Sequence, residues 1–96
     1  MNIGQSIKSM RLKYLPRFTQ IDFAERIGIT QAYLSQIENG KKQPSTEVLQ
    51  KIADFFEVPL PILFWFGVEE RDIKPNKVEH FRFLKPMIDK MIKSIF

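Results

Sequence analysis

No cysteine occurs in the 96 residues, which excludes disulfides, thiol nucleophiles and thiolate metal sites. The same absence fits a reducing cytosol, so a cytoplasmic location is expected. Histidine is nearly absent as well: His80 is the single one, beside Phe81 and without clustered carboxylates around it. Its neighbour Glu79 would face elsewhere on a helix. With no metal-ligand spacing and no Gly-rich phosphate loop, the expectation is a protein that is not an enzyme, with no cofactor and no metal. Long apolar runs are also missing. The longest, "LPILFWFGV" from Leu60 to Val68, is too short to span a bilayer and contains a proline. The start, "MNIGQSIKSMRLK", alternates polar and apolar residues at helical spacing and lacks a signal-peptide apolar stretch. No membrane partner is expected.

What is present suffices for one small folded domain. The chain is 44% hydrophobic and 12% aromatic, ample for a packed core. The net charge of +4 and pI of about 9.5 favour an anionic partner only mildly. Placement says more: Lys8, Arg11, Lys13 and Arg17 precede the first acidic residue, Asp22, and Lys41 and Lys42 stand together further on. On charge alone, a solvated basic face accounts for them.

The apolar residues recur at helical intervals, with no strand pattern and no internal repeat, so the fold class is all-α. Ile3, Ile7, Met10 and Tyr14 mark one face of a first helix, which Pro16 ends by pushing Leu15 out of helical geometry. "TQID" sets Thr19 as N-cap and Asp22 at the third helical position of a second helix, a capping-box arrangement. Phe23, Ala24 and Ile27 are its buried stripe, and Gly28 ends it in the left-handed region. Thr30 caps a third helix with Leu34 and Ile37 inward, ended by Gly40. Ser45 caps a fourth carrying Val48, Leu49, Ile52, Ala53 and Phe56, broken at Val58-Pro59, and residues 60–66 form a short fifth. The polar stretch 69–76 reads as a linker.

Two short helices joined by Gly28-Ile29-Thr30 cannot be stable alone and must pack on each other steeply. Ala24 permits close approach, Gly28 makes the turn, and Phe23, Ile27, Ile29, Leu34 and Ile37 share one core. This is the pattern of a DNA-binding helix-turn-helix over about residues 19–40. Here "IGQSIKSMR", "TQIDFAERIGITQAYLSQIENGKKQPS" and "VLQKIADFFEVP", in that order, closely resemble the Xre-type family that includes phage Cro and lambda-type repressors. The resemblance covers about residues 3–64. It implies a compact five-helix bundle, and a regulator that binds near-palindromic double-stranded operator DNA as a dimer. One departure is "YLPRF", longer than the family's short Gly-containing turn.

Residues near the start of the third helix reach deepest into the major groove, where an amide can read adenine bidentately. The resemblance implies base-reading roles for Gln31, Ala32 and Gln36, with Tyr33 and Ser35 flanking them. Gln20, in the first turn of the second helix, is placed for a phosphate, where dipole and amide both favour an anion. Thr30, Asn39, Lys41, Lys42 and Arg17 complete the expected phosphate contacts. Exposed glutamines and lysines without function remain the plain alternative for each position. Glu38 would repel phosphates if it faced DNA. The resemblance implies that it points inward and pairs with Arg11, an architectural ion pair.

In the last third, Phe81, Leu84, Ile88, Met91 and Ile95 form an apolar seam widened by Met87 and Ile92, with Lys85, Asp89, Lys90, Lys93 and Ser94 on the other side. Pro86 implies either a kink or a fresh helix start. Trp65 and Phe66 add apolar surface beyond what five helices need. Either this tail folds back over the fifth helix, or the patch builds a homodimer. The expected organisation is a DNA-binding domain over 1–66, a linker over 67–76, and an amphipathic helix over 77–96 that is a candidate dimerisation element. The rival function is a protein-binding adapter or antitoxin component, whose tail covers a protein partner and whose DNA binding is secondary.

Overall fold

A computed structural model describes residues 1–14 and 19–96. Six α-helices follow one another: α1 (Ile3–Tyr14), α2 (Gln20–Ile27), α3 (Gln31–Glu38), α4 (Thr46–Phe56), α5 (Leu60–Phe66) and α6 (Val78–Ile95). Two single-turn 3-10 segments, Glu70–Asp72 and Pro75–Lys77, lie between α5 and α6, and no strand occurs among the described residues.

Each short helix starts where a side chain satisfies an otherwise orphaned amide. The hydroxyls of Thr19, Thr30 and Ser45 accept from the N–H groups of Asp22 (3.1 Å), Tyr33 (3.1 Å) and Val48 (3.2 Å). At Thr19 the expected capping box takes a different second half: its hydroxyl donates to the Asp22 carboxylate at 2.9 Å. The α2–α3 turn follows from Gly28, whose φ of 77° lies where a side chain would be strained. The Ile29 N–H then returns to the Ala24 carbonyl at 3.0 Å, closing α2 and launching α3 across it.

The core sits among α1 to α5. Ile7, Phe23, Leu34, Ile37, Ile52 and Leu63 are fully buried. Phe23 meets Phe55 edge-on, with ring centroids 5.2 Å apart, and Phe56 at 5.5 Å. Two small residues set how closely α1 approaches its neighbours. Ser6 is buried and donates to the Leu63 carbonyl at 2.8 Å, joining α1 to α5. Gly4 lies directly against the Ile37 carbonyl, so that even a methyl group there would overlap it.

The tail folds back. α6 is one continuous helix through Pro86, so no fresh helix starts there. It is held to α5 by the Trp65 indole, which donates to Asp89 at 2.8 Å, and by Phe81, whose ring lies edge-on to Trp65 at 6.3 Å. Lys85 stands over the Trp65 ring at 5.2 Å and Lys93 over Phe66 at 5.9 Å. The polar residues assigned to the far side of the seam therefore include three that face the body. Arg82 fastens the preceding turn through a fork to Glu70, at 2.6 and 2.9 Å.

Candidate nucleic-acid interface

The third helix is braced from inside and presents its amides outside. At its inner end, Arg11 donates through Nε and an Nη to the two carboxylate oxygens of Glu38, each at 2.8 Å. Both side chains are buried, at 7% and 0% exposure. Hydrogen bonding to Glu38, reinforced by its charge, holds the guanidinium above its ordinary pKa although burial opposes this. A fully paired arrangement of this kind ties α1 to α3, and truncating one partner would strand the other charge.

The network continues outward. Gln20 donates from its amide nitrogen to Glu38 at 2.9 Å, and its oxygen accepts from the amide nitrogen of Gln31, also at 2.9 Å. Thus Arg11, Glu38, Gln20 and Gln31 form one relay from buried ion pair to exposed helix face, crossing three helices. Gln31 is exposed, and among the described residues its amide oxygen takes no hydrogen bond. One amide hydrogen and that oxygen are left facing water, with the plane of the amide held by Gln20. The sequence placed Gln20 only as a phosphate contact; its bridging role has no signal in residue spacing.

The remaining expected residues gather on or beside this face. Ala32 is exposed, while Ser35 and Gln36 are half-buried. Tyr33 is half-buried with its ring packed on the core. Thr30 uses its hydroxyl as the cap yet stays exposed, as do Asn39, Lys41 and Lys42. Asn39 donates to the Ser35 hydroxyl at 3.4 Å. The backbone N–H groups of Lys41 and Lys42 both return to the Gln36 carbonyl, at 2.8 and 3.2 Å, folding the basic pair back against the end of α3. Arg17 lies outside the described residues.

The dimerisation candidates divide into two groups. Trp65, Phe66, Phe81 and Ile88 are half-buried, whereas Leu84, Met91 and Ile95 are exposed. Among the described residues no cluster of His, Asp or Glu could hold a metal ion, and no helix is long and apolar enough to cross a membrane.

A helix turned outward, a glycine-closed tight turn before it and a buried arginine–glutamate brace behind it match a known class. The helix-turn-helix family model covers residues 7–63. The chain belongs to that family. Helix-turn-helix relatives include an uncharacterised HTH-type transcriptional regulator of Mycobacterium tuberculosis, 38% identical over 79 residues, which are 82% of this chain and 53% of the relative. The immunity repressor protein of Bacillus phage phi105 is 29% identical over 80 residues, 83% of this chain and 52% of its own. The antitoxin PezA of Streptococcus pneumoniae is 41% identical over 56 residues, 58% of this chain and 34% of the antitoxin. The chain spans about half the length of the first two. No solved structure matches it.

Proposed function

We infer that this helix-turn-helix chain is a transcriptional regulator that binds double-stranded DNA sequence-specifically, with α3 in the major groove. The observation that carries the reading is the Gln31 amide, exposed and oriented by Gln20, which is held in turn by Glu38. Its free hydrogen and oxygen can meet adenine N7 and N6 together, a pairing that gives about 1–3 kcal/mol of discrimination. Gln36 is the second amide on the helix, Ala32 offers a methyl group to thymine, and Ser35 lies between them. Thr30, Asn39, Lys41 and Lys42, with Arg17, supply phosphate contacts that fix register.

The exposed row Leu84, Met87, Met91 and Ile95 supports a homodimer through α6. A two-fold pair of reading helices then requires a near-palindromic operator with half-sites about 10 base pairs apart. The likeness to a phage immunity repressor supports repression as the output. Such a protein works in the cytoplasm with the DNA it binds, without catalysis or cofactor.

Selection of bound fragments from random duplexes tests this reading. Recovery of one motif with two-fold symmetry is expected. Recovery of unrelated sequences would overturn it. The antitoxin likeness and the same apolar row favour a second reading, in which α6 covers a protein partner. Light scattering separates the two: a stable homodimer supports the first, and a monomer the second.

A further inference from the structure

A second polar cluster lies where α6 crosses α1, with no residue of α3 in it. Ser9, Met10 and Lys13 from α1, Phe66 from α5, and Lys85, Asp89 and Lys93 from α6 enclose a pocket of about 210 Å3. Its one carboxylate is already engaged, since Asp89 accepts from the Trp65 indole at 2.8 Å and from Lys85 at 3.1 Å. That leaves Lys13 and Lys93. Neither is ion-paired with a carboxylate among the described residues. Contact with Lys13, with burial adding to it, holds the Lys93 amine below the usual lysine range. Lys13 and Lys93 line the same pocket, and like charges sharing a pocket repel unless an anion lies between them.

We propose that this pocket binds a phosphate dianion, as inorganic phosphate or as a small phosphomonoester, gripped between Lys13 and Lys93 with Lys85 beside them. The charge matches, because the two unpaired lysines supply the two positive charges that a phosphate dianion requires. Ser9 also lines the pocket, and its hydroxyl, which accepts from the Gln5 amide at 3.5 Å, keeps its own hydrogen to donate. The space equals that of about seven liquid waters, more than a bare phosphate fills. Met10 and Phe66 are the apolar residues of the lining, so a small organic group on the phosphate has apolar neighbours to meet. An occupant bridges α1 and α6 and fastens the tail to the body. The site is independent of the DNA reading, and its failure would leave that reading untouched.

Trp65 is the single tryptophan and touches both Asp89 and Lys85, so its emission reports on the pocket. The full chain is titrated with inorganic phosphate and, separately, with glycerol phosphate, each against sodium chloride at matched ionic strength. A saturable change in emission and a rise in Tm are expected with the phosphates and not with chloride. Lys13→Gln and Lys93→Gln should each raise half-saturation about tenfold, the effect of one lost charge-assisted hydrogen bond. Lys93→Arg, which keeps the charge, should retain binding, and Lys51→Gln, exposed on α4, should behave as the parent. Tighter binding of glycerol phosphate assigns the site to a phosphomonoester, and tighter binding of inorganic phosphate assigns it to the free ion. A response that follows ionic strength alone, or that survives unchanged in both Lys→Gln variants, would overturn the proposal.

Discussion

A glutamate at position 38 is compatible with the proposed DNA-facing role of α3 because its carboxylate is turned inward onto Arg11 and Gln20. Glu38→Ala would leave a buried guanidinium without its partner and should cost about 3–5 kcal/mol in urea unfolding. Replacing both partners together, Arg11→Met with Glu38→Leu, should recover much of that loss, because no buried charge is then stranded. A single substitution within experimental error of the parent would contradict the brace. Gly4→Ala should destabilise by about 1–3 kcal/mol, since its methyl group can be accommodated only by moving α1 away from α3. Circular dichroism melts would register it as a lowered Tm with helicity retained. The ion pair was legible because both partners are side chains at family positions. Gly4 was not, because what it meets is a backbone carbonyl, and side-chain periodicity carries no information about that.

At the scale of elements, the caps and breaks of α2 to α5 were readable from local chemistry, since Thr, Ser, Gly and Pro act through their own backbone neighbours. Helix α4 shows where that fails: it ends at Glu57 in the left-handed region, with φ of 56°, a position usually signalled by glycine. The orientation of α6 was hidden for another reason. Apolar residues occupy a broad arc of this helix, so spacing alone does not say which part of the arc packs. The half-buried Trp65 indole needs an acceptor, and Asp89 provides it, which turns Lys85, Asp89 and Lys93 inward and Leu84, Met91 and Ile95 outward. The attachment should depend on acidity. The fork from Arg82 holds the Glu70 carboxyl below its ordinary value of 4.5, so its stabilising effect is complete above that value and disappears as pH falls through the lowered one. Parent and Glu70→Gln should therefore differ in Tm at neutral pH and converge on acidification. A difference independent of pH would contradict the fork. On the outward face, Met91→Lys should shift the chain from dimer to monomer in light scattering without lowering Tm in the monomer. An unchanged mass would remove α6 from the proposed interface.

For the whole molecule, the five-helix body was legible in the sequence because its restricted positions fall together within one span, residues 7–63 of the family match. What that span could not reveal was the relay that crosses α1, α2 and α3 to orient an exposed amide, because it joins residues eleven and eighteen positions apart through side-chain geometry alone. In the proposed function, this orientation converts a fold into a reader of sequence. Its most direct test takes a duplex selected by the parent and an unrelated duplex, and measures the affinity of parent, Gln31→Ala and Lys41→Ala for both across a salt series. Gln31→Ala should lose preference for the selected duplex by about 1–3 kcal/mol per half-site at an unchanged salt slope. Lys41→Ala should keep the preference while its log–log slope falls by about 0.9 per half-site. A Gln31→Ala variant that still prefers the selected duplex as strongly as the parent would contradict the claim.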